Sequence, residues 1–308
     1  MKYHLVALFT IFVWGITFVS TKVLLVDISP LWILLLRFVL GLCILCVMRP
    51  HVLRLNERTD EALFAAAGAT GIAAYYLLEN VALVFTTATA VGVIVAASPL
   101  FTALISAALG DRSSINIRFF CGFALAIAGL IVVGAGTMGE GDIVNFTGFD
   151  LFGDMLALTA ALVWAVYSTL VARIAQKSYE TIAATKRTFV WGVAFILVTM
   201  LIFDPHAPQL SALLDWQNVL NLLFLGAVAS AACFVTWGVA VKHLGATTTT
   251  TYIYLVPAIT ATASILILGE QLNAPIILGL TMTIAGLLLS QKRKDNGDVA
   301  CCPGKQRG

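Results

Sequence analysis

The stretch YYLLENVALVFTTATAVGVIVAASP, Tyr75 to Pro99, decides how the chain folds. It reads as the end of one apolar helix, a tight connection, and the first half of the next. Glu79 is the single charged residue in this run. A carboxylate inside hydrocarbon costs several kcal/mol, so it is kept for a use or tied to a neighbour. Tyr75 with Glu79, and Tyr76 with Asn80, stand one helical turn apart. Pro99 falls near the middle of the second helix. The pattern returns about 158 residues later in VAVKHLGATTTTTYIYLVPAI, where Pro257 matches Pro99 and Trp237 stands in the place of Glu79.

Composition places the whole chain in a membrane. Of 308 residues, 60% are hydrophobic and 11% charged, with a mean hydropathy of +0.97; a soluble domain carries roughly 25% charged residues. Ten apolar segments are expected, at 4–26, 30–49, 62–85, 88–109, 117–136, 151–174, 179–203, 217–241, 247–268 and 274–291. Each is long enough to cross about 30 Å of hydrocarbon. The first is expected to stay in place, since no cleavage pattern follows it. Four of the six cysteines lie within spans and no His/Cys cluster suggests a metal, so no cofactor is expected.

Charge placement orients the spans. With the N-terminus in the cytoplasm, 15 of the 18 lysines and arginines fall on the inner side, while the outer loops hold only Lys22. Arg37 and Arg187 fall inside spans. The chain is therefore expected in the plasma (inner) membrane with both ends inside.

The chain also repeats itself. Trp14 aligns with Trp164 and Arg37 with Arg187, both at an offset of 150, and Ala128-Gly129-Leu130 aligns with Ala285-Gly286-Leu287. Five spans per half is an odd number, so the second half is inverted. The expected fold is all-α, with ten transmembrane helices in two inverted five-helix repeats, at 1–139 and 147–291, and a cytoplasmic tail at 292–308. That architecture belongs to secondary transporters, with the site at the midplane between halves. Gly122, Gly129, Gly134, Gly279 and Gly286 suggest close packing of the fifth and tenth spans.

Trp14 in WGITFVSTK, Arg37 in LLLRF, the YYLLENVAL segment, the SPLFTAL proline, and LGEQL followed by AGLLL resemble the drug/metabolite transporter superfamily, EamA type. The likeness covers both halves. It implies a proton-coupled or facilitated carrier, most often an exporter, of amino acids or related metabolites. One departure stands out: the first half reads Gly110-Asp111-Arg112 where the second reads Gly269-Glu270-Gln271, so the family's GE signature is intact in the second half alone.

The candidate site follows from depth. Trp14 with Thr17, and Trp164 with Tyr167 and Ser168, form matching faces of the first and sixth spans, away from the interfacial belt usual for tryptophan. Tyr75, Tyr76, Glu79 and Asn80 come from the third span, Ser98 and Pro99 from the fourth, Tyr252 and Pro257 from the ninth. Most hydroxyls of Thr247–Thr251 are expected to bond back onto their own helix. Glu79 and Arg37 each lie about 9–10 Å below the outer end of their span and are expected to meet as an ion pair or gate.

The expected function is export of small metabolites such as amino acids, with a proton as candidate partner and a monomer or weak homodimer as the assembly. A multidrug or organic-cation exporter using Glu79 is the alternative; a channel or an intramembrane enzyme stands further off. No HExxH, GxSxG or membrane aspartate pair occurs, and nothing points to nucleic acid. Cysteine labelling tests the orientation: a thiol at position 141 should react with impermeant reagent from outside, and one in the tail should not. The reverse result refutes it.

Overall fold

The structure is a computed structural model that describes residues 2–110, 116–136, 148–177, 179–245, 249–271 and 273–290. The 292–308 tail, both repeat boundaries, the 137–147 loop, Asp111, Arg112, Thr247 and Thr248 lie outside the described residues.

Every regular element among the described residues is helical. Seven helices are long and apolar enough to cross a membrane: α1 Lys2–Leu24, α2 Pro30–Met48, α3 Asp60–Phe85, α4 Ala88–Ala108, α6 Leu151–Gln176, α7 Thr181–Phe203 and α8 Trp216–Leu244. Three shorter apolar helices complete the set: α5 Ile117–Val133, α9 Tyr252–Leu268 and α10 Ala274–Ser290. They occupy the ten expected spans. Pro30 starts α2 behind an extended Ser29, where a missing N–H costs nothing.

The halves interleave. α1 packs against α8 and α9 of the second half, while its counterpart α6 packs against α3 and α4 of the first. Local irregularities recur in equivalent helices. A π-helical stretch, Ala69–Ala74, widens α3, and another, Phe224–Ala232, widens α8. Such stretches are rare and concentrate at functional sites.

The two prolines, although near the middle of their apolar segments, do not bend continuous helices. α4 breaks at Ala96-Ala97 and restarts at Ser98, with Pro99 in the first turn of the new segment. α9 runs as a tighter helix through Thr251–Leu255 and restarts at Val256, with Pro257 in that first turn. Each proline thus opens a helix, where its missing donor is tolerated, instead of bending a continuous one.

α5 and α10 touch backbone to backbone. A Cβ on Gly279 would stand 2.6 Å from the Gly129 carbonyl oxygen, and one on Gly286 would stand 2.6 Å from that of Gly122. Glycine is required there because a neighbouring carbonyl occupies the space of a side chain. Gly286→Val should destabilise the protein by about 1–3 kcal/mol through overpacking, read as a lower melting midpoint in detergent. An unchanged midpoint would contradict this contact.

Candidate functional site

At the centre of the bundle lies a cavity of about 30 Å³ lined by Trp14, Thr17, Phe18, Tyr75, Tyr76, Glu79, Val95, Ser98, Trp164, Ile253 and Val256. Five helices supply it. Trp14 and Trp164, equivalent in the repeat, meet edge to face at 5.3 Å. Tyr75 packs 4.6 Å from Trp164 and 4.7 Å from Tyr76. The buried Trp14 indole donates to the Ala229 carbonyl at 3.1 Å, inside the π-helical stretch of α8. Widened backbone there holds the aromatic wall in place.

Seven of the thirteen expected site residues are brought together here: Trp14, Thr17, Tyr75, Tyr76, Glu79, Ser98 and Trp164. Tyr167 packs at a tilt against Trp164 at 5.0 Å but lines a neighbouring cleft with Phe234, Trp237 and Lys242. The others serve elsewhere. Asn80 donates to the Pro30 carbonyl at 3.1 Å and anchors the start of α2. Ser168 bonds back to Trp164 O at 2.9 Å. Tyr252 is drawn to His4, 2.6 Å away near the start of α1, so α9 presents Ile253 and Val256 instead. Pro99 and Pro257 set the path of their helices without lining the cavity.

The expected Arg37–Glu79 ion pair is absent: no contact within 4.0 Å joins them among the described residues. The Arg37 guanidinium instead lies 4.3 Å from the Tyr76 ring centroid and 5.1 Å from that of Phe38, and its Nε donates to Ser230 Oγ at 3.2 Å. Equal depth did not imply equal azimuth around the bundle axis.

Phe234 and Trp237 belong to the same aromatic cluster, at 5.7 and 5.1 Å from Trp14. Sequence reasoning left them out of the site. The signal existed: the offset of about 158 that sets Trp237 against Glu79 also sets Phe234 against Tyr76.

Polar clusters close both ends. On the face away from the cation-rich loops, Lys22 donates to the carbonyls of Leu83 and of Thr86, the latter at 2.8 Å, at the C-terminal end of α3. Glu270 accepts from Ala88 N at 3.0 Å and Thr89 Oγ1 at 2.6 Å at the start of α4. Thr86 also donates to Asp154 of α6 at 3.1 Å. A cation thus sits at a helix C-terminus and an anion at the following N-terminus, as helix dipoles favour.

On the cation-rich face Asp60 pairs with Lys177 and accepts from Tyr179. That carboxylate raises the Lys177 ammonium above its ordinary value. Arg187, expected within a span, lies near this face: Glu61 accepts from it, and from the Trp191 indole at 2.5 Å. Lys186 covers the carbonyls of Arg49 and His51, at 2.5 and 2.8 Å, beyond the end of α2.

Comparison with known proteins agrees with this frame. The profile of the EamA-like transporter family matches residues 1–135 and again 151–291. An "Uncharacterized transporter" of Archaeoglobus fulgidus is 26% identical over 295 residues, covering 95% of this chain and 98% of its own. A "Probable amino-acid metabolite efflux pump" of Escherichia coli is 28% identical over 299 residues, covering 94% of each. One solved crystal structure superposes with a TM-score of 0.65 at 19% identity, over 94% of this chain and 96% of that one, a likeness of fold alone.

Glu270→Ala removes both acceptors at the start of α4 and should cost about 1–2 kcal/mol, with Glu270→Gln losing less. Melting midpoints of the purified protein check this; equal midpoints for all three would show that the cap contributes nothing.

Proposed function

Because the chain belongs to the EamA-like transporter family, we propose that it is a secondary carrier exporting small metabolites of the amino-acid class by alternating access. The observation that carries this reading is the aromatic wall, where equivalent tryptophans of the two halves meet beside one carboxylate. Such a wall suits an amphipathic or aromatic solute. It penalises a sugar or nucleotide, whose polar groups would be left unpaired. The name given to the Escherichia coli relative supports the same substrate class.

A cavity of about 30 Å³ has room for water and not for a metabolite. The walls must part to admit one, which fits a carrier better than an open channel. In this reading the repeats at 1–139 and 147–291 rock about the cavity, the tail at 292–308 and the N-terminus lie in the cytoplasm, and a proton is the candidate driving ion. Export across a plasma membrane is the direction that the name of the Escherichia coli relative supports. One observation favours a second reading: Glu79 places an unpartnered carboxylate oxygen beside aromatic faces, an environment that would also hold an organic cation.

Reconstituted protein should take up neutral amino acids with saturation. Trp14→Ala, Trp164→Ala and Tyr76→Ala should each lower kcat/KM by roughly tenfold, the size of a lost aromatic contact of about 1–1.5 kcal/mol. Wild-type affinity and rate in all three variants, with the fold intact, would move the site elsewhere. Uptake confined to organic cations would favour the second reading.

A further inference from the structure

We propose that Arg37 and Glu79 read the two charges of a zwitterionic amino acid, Arg37 its carboxylate and Glu79 its ammonium. This rests on the carrier reading above and assigns the specificity of that same site.

Arg37 is fully buried in α2, at 0% exposure. A guanidinium carries five N–H donors in a planar fork. Its Nε is used by Ser230, while both terminal nitrogens are buried without a partner. No carboxylate lies within 4.0 Å of it among the described residues. The Tyr76 and Phe38 rings offset part of the cost of burying this cation. They leave the fork open, and a carboxylate is the group that fits it with two parallel bonds.

Tyr76 connects the fork to the cavity. One face of its ring carries the guanidinium, and the same residue lines the cavity wall. The fork therefore stands one ring behind the cavity, and a shift of Tyr76 uncovers it. Glu79 follows three residues later on the same side of α3 and is 1% exposed. It lines the cavity with its Oε1 unpartnered. A solute lying between the two would set its ammonium on Glu79, its carboxylate on the fork, and its side chain against Trp14 and Trp164. The two charges that share a depth thus each keep hydrogen-bonding capacity unused by the other.

Three probes with one side chain test this: phenylalanine, phenethylamine, which lacks the carboxylate, and 3-phenylpropionate, which lacks the ammonium. Binding is read by thermal shift and transport by counterflow in proteoliposomes. The wild type should bind phenylalanine at least about tenfold tighter than either single-charge probe, since each charge-assisted pair is strong in a dry site. Arg37→Gln should erase the preference over phenethylamine while leaving phenethylamine binding within about twofold. Glu79→Gln should erase the preference over 3-phenylpropionate. If Arg37→Gln fails to fold, Arg37→Lys keeps the charge without the fork and should still lose about tenfold in that preference.

Charge-blind binding of all three probes by the wild type would overturn the assignment and leave the carrier reading standing. So would equal loss of all three in variants that melt like the wild type. Full recovery of phenylalanine transport in the Arg37→Gln/Glu79→Gln double variant would mean that the two charges serve each other. A wild type that binds phenethylamine alone and moves only organic cations would sink both readings.

Discussion

Inside hydrocarbon no water is available to satisfy a backbone N–H or C=O, so irregular chain survives only where protein surrounds it. This constraint bears on the irregular stretches around the centre; a further π-helical turn, Ser264–Leu268, lies at the more exposed end of α9. The π-helical stretches of α3 and α8 and the restarts of α4 and α9 all lie next to the central cavity or supply its lining. In α8 the Ala229 carbonyl takes up the Trp14 indole, so there interruption and site are two aspects of one arrangement.

Much of this was legible in the sequence. Ten helices follow from hydropathy and length, because the bilayer sets both. The aromatic wall follows from two tryptophans at mid-depth that repeat at a fixed offset. Residues whose place depends on one-dimensional depth, such as Trp14, Tyr76, Glu79 and Trp164, were found. Those decided by short-range choices of a side chain were not. Tyr252 bonds to His4, Asn80 to Pro30 O and Ser168 to its own helix. None of these choices has a periodicity to read. Arg37 and Glu79 illustrate the limit most plainly: a span gives height in the membrane, while contact also needs the rotation of each helix about its axis.

The repeat is symmetric in scaffold and asymmetric in chemistry. Helix breaks, π-helical stretches and tryptophans recur, yet Glu79 faces Trp237 in the alignment, and Arg37 and Arg187 have diverged. Arg187 sits against Glu61 near one face. Arg37 stays deep against aromatic rings. The two halves share a frame, while the buried charges of the centre, Arg37 and Glu79, both belong to the first half.

The Lys22 contact illustrates how such a frame resists drift. Its two acceptors are backbone carbonyls, those of Leu83 and Thr86. A substitution at either position leaves the oxygen where it is. The restraint is therefore one-sided: Lys22 can be lost, but no partner residue can be lost with it. Covariation between positions would carry no trace of this contact, although it ties α1 to the turn between α3 and α4.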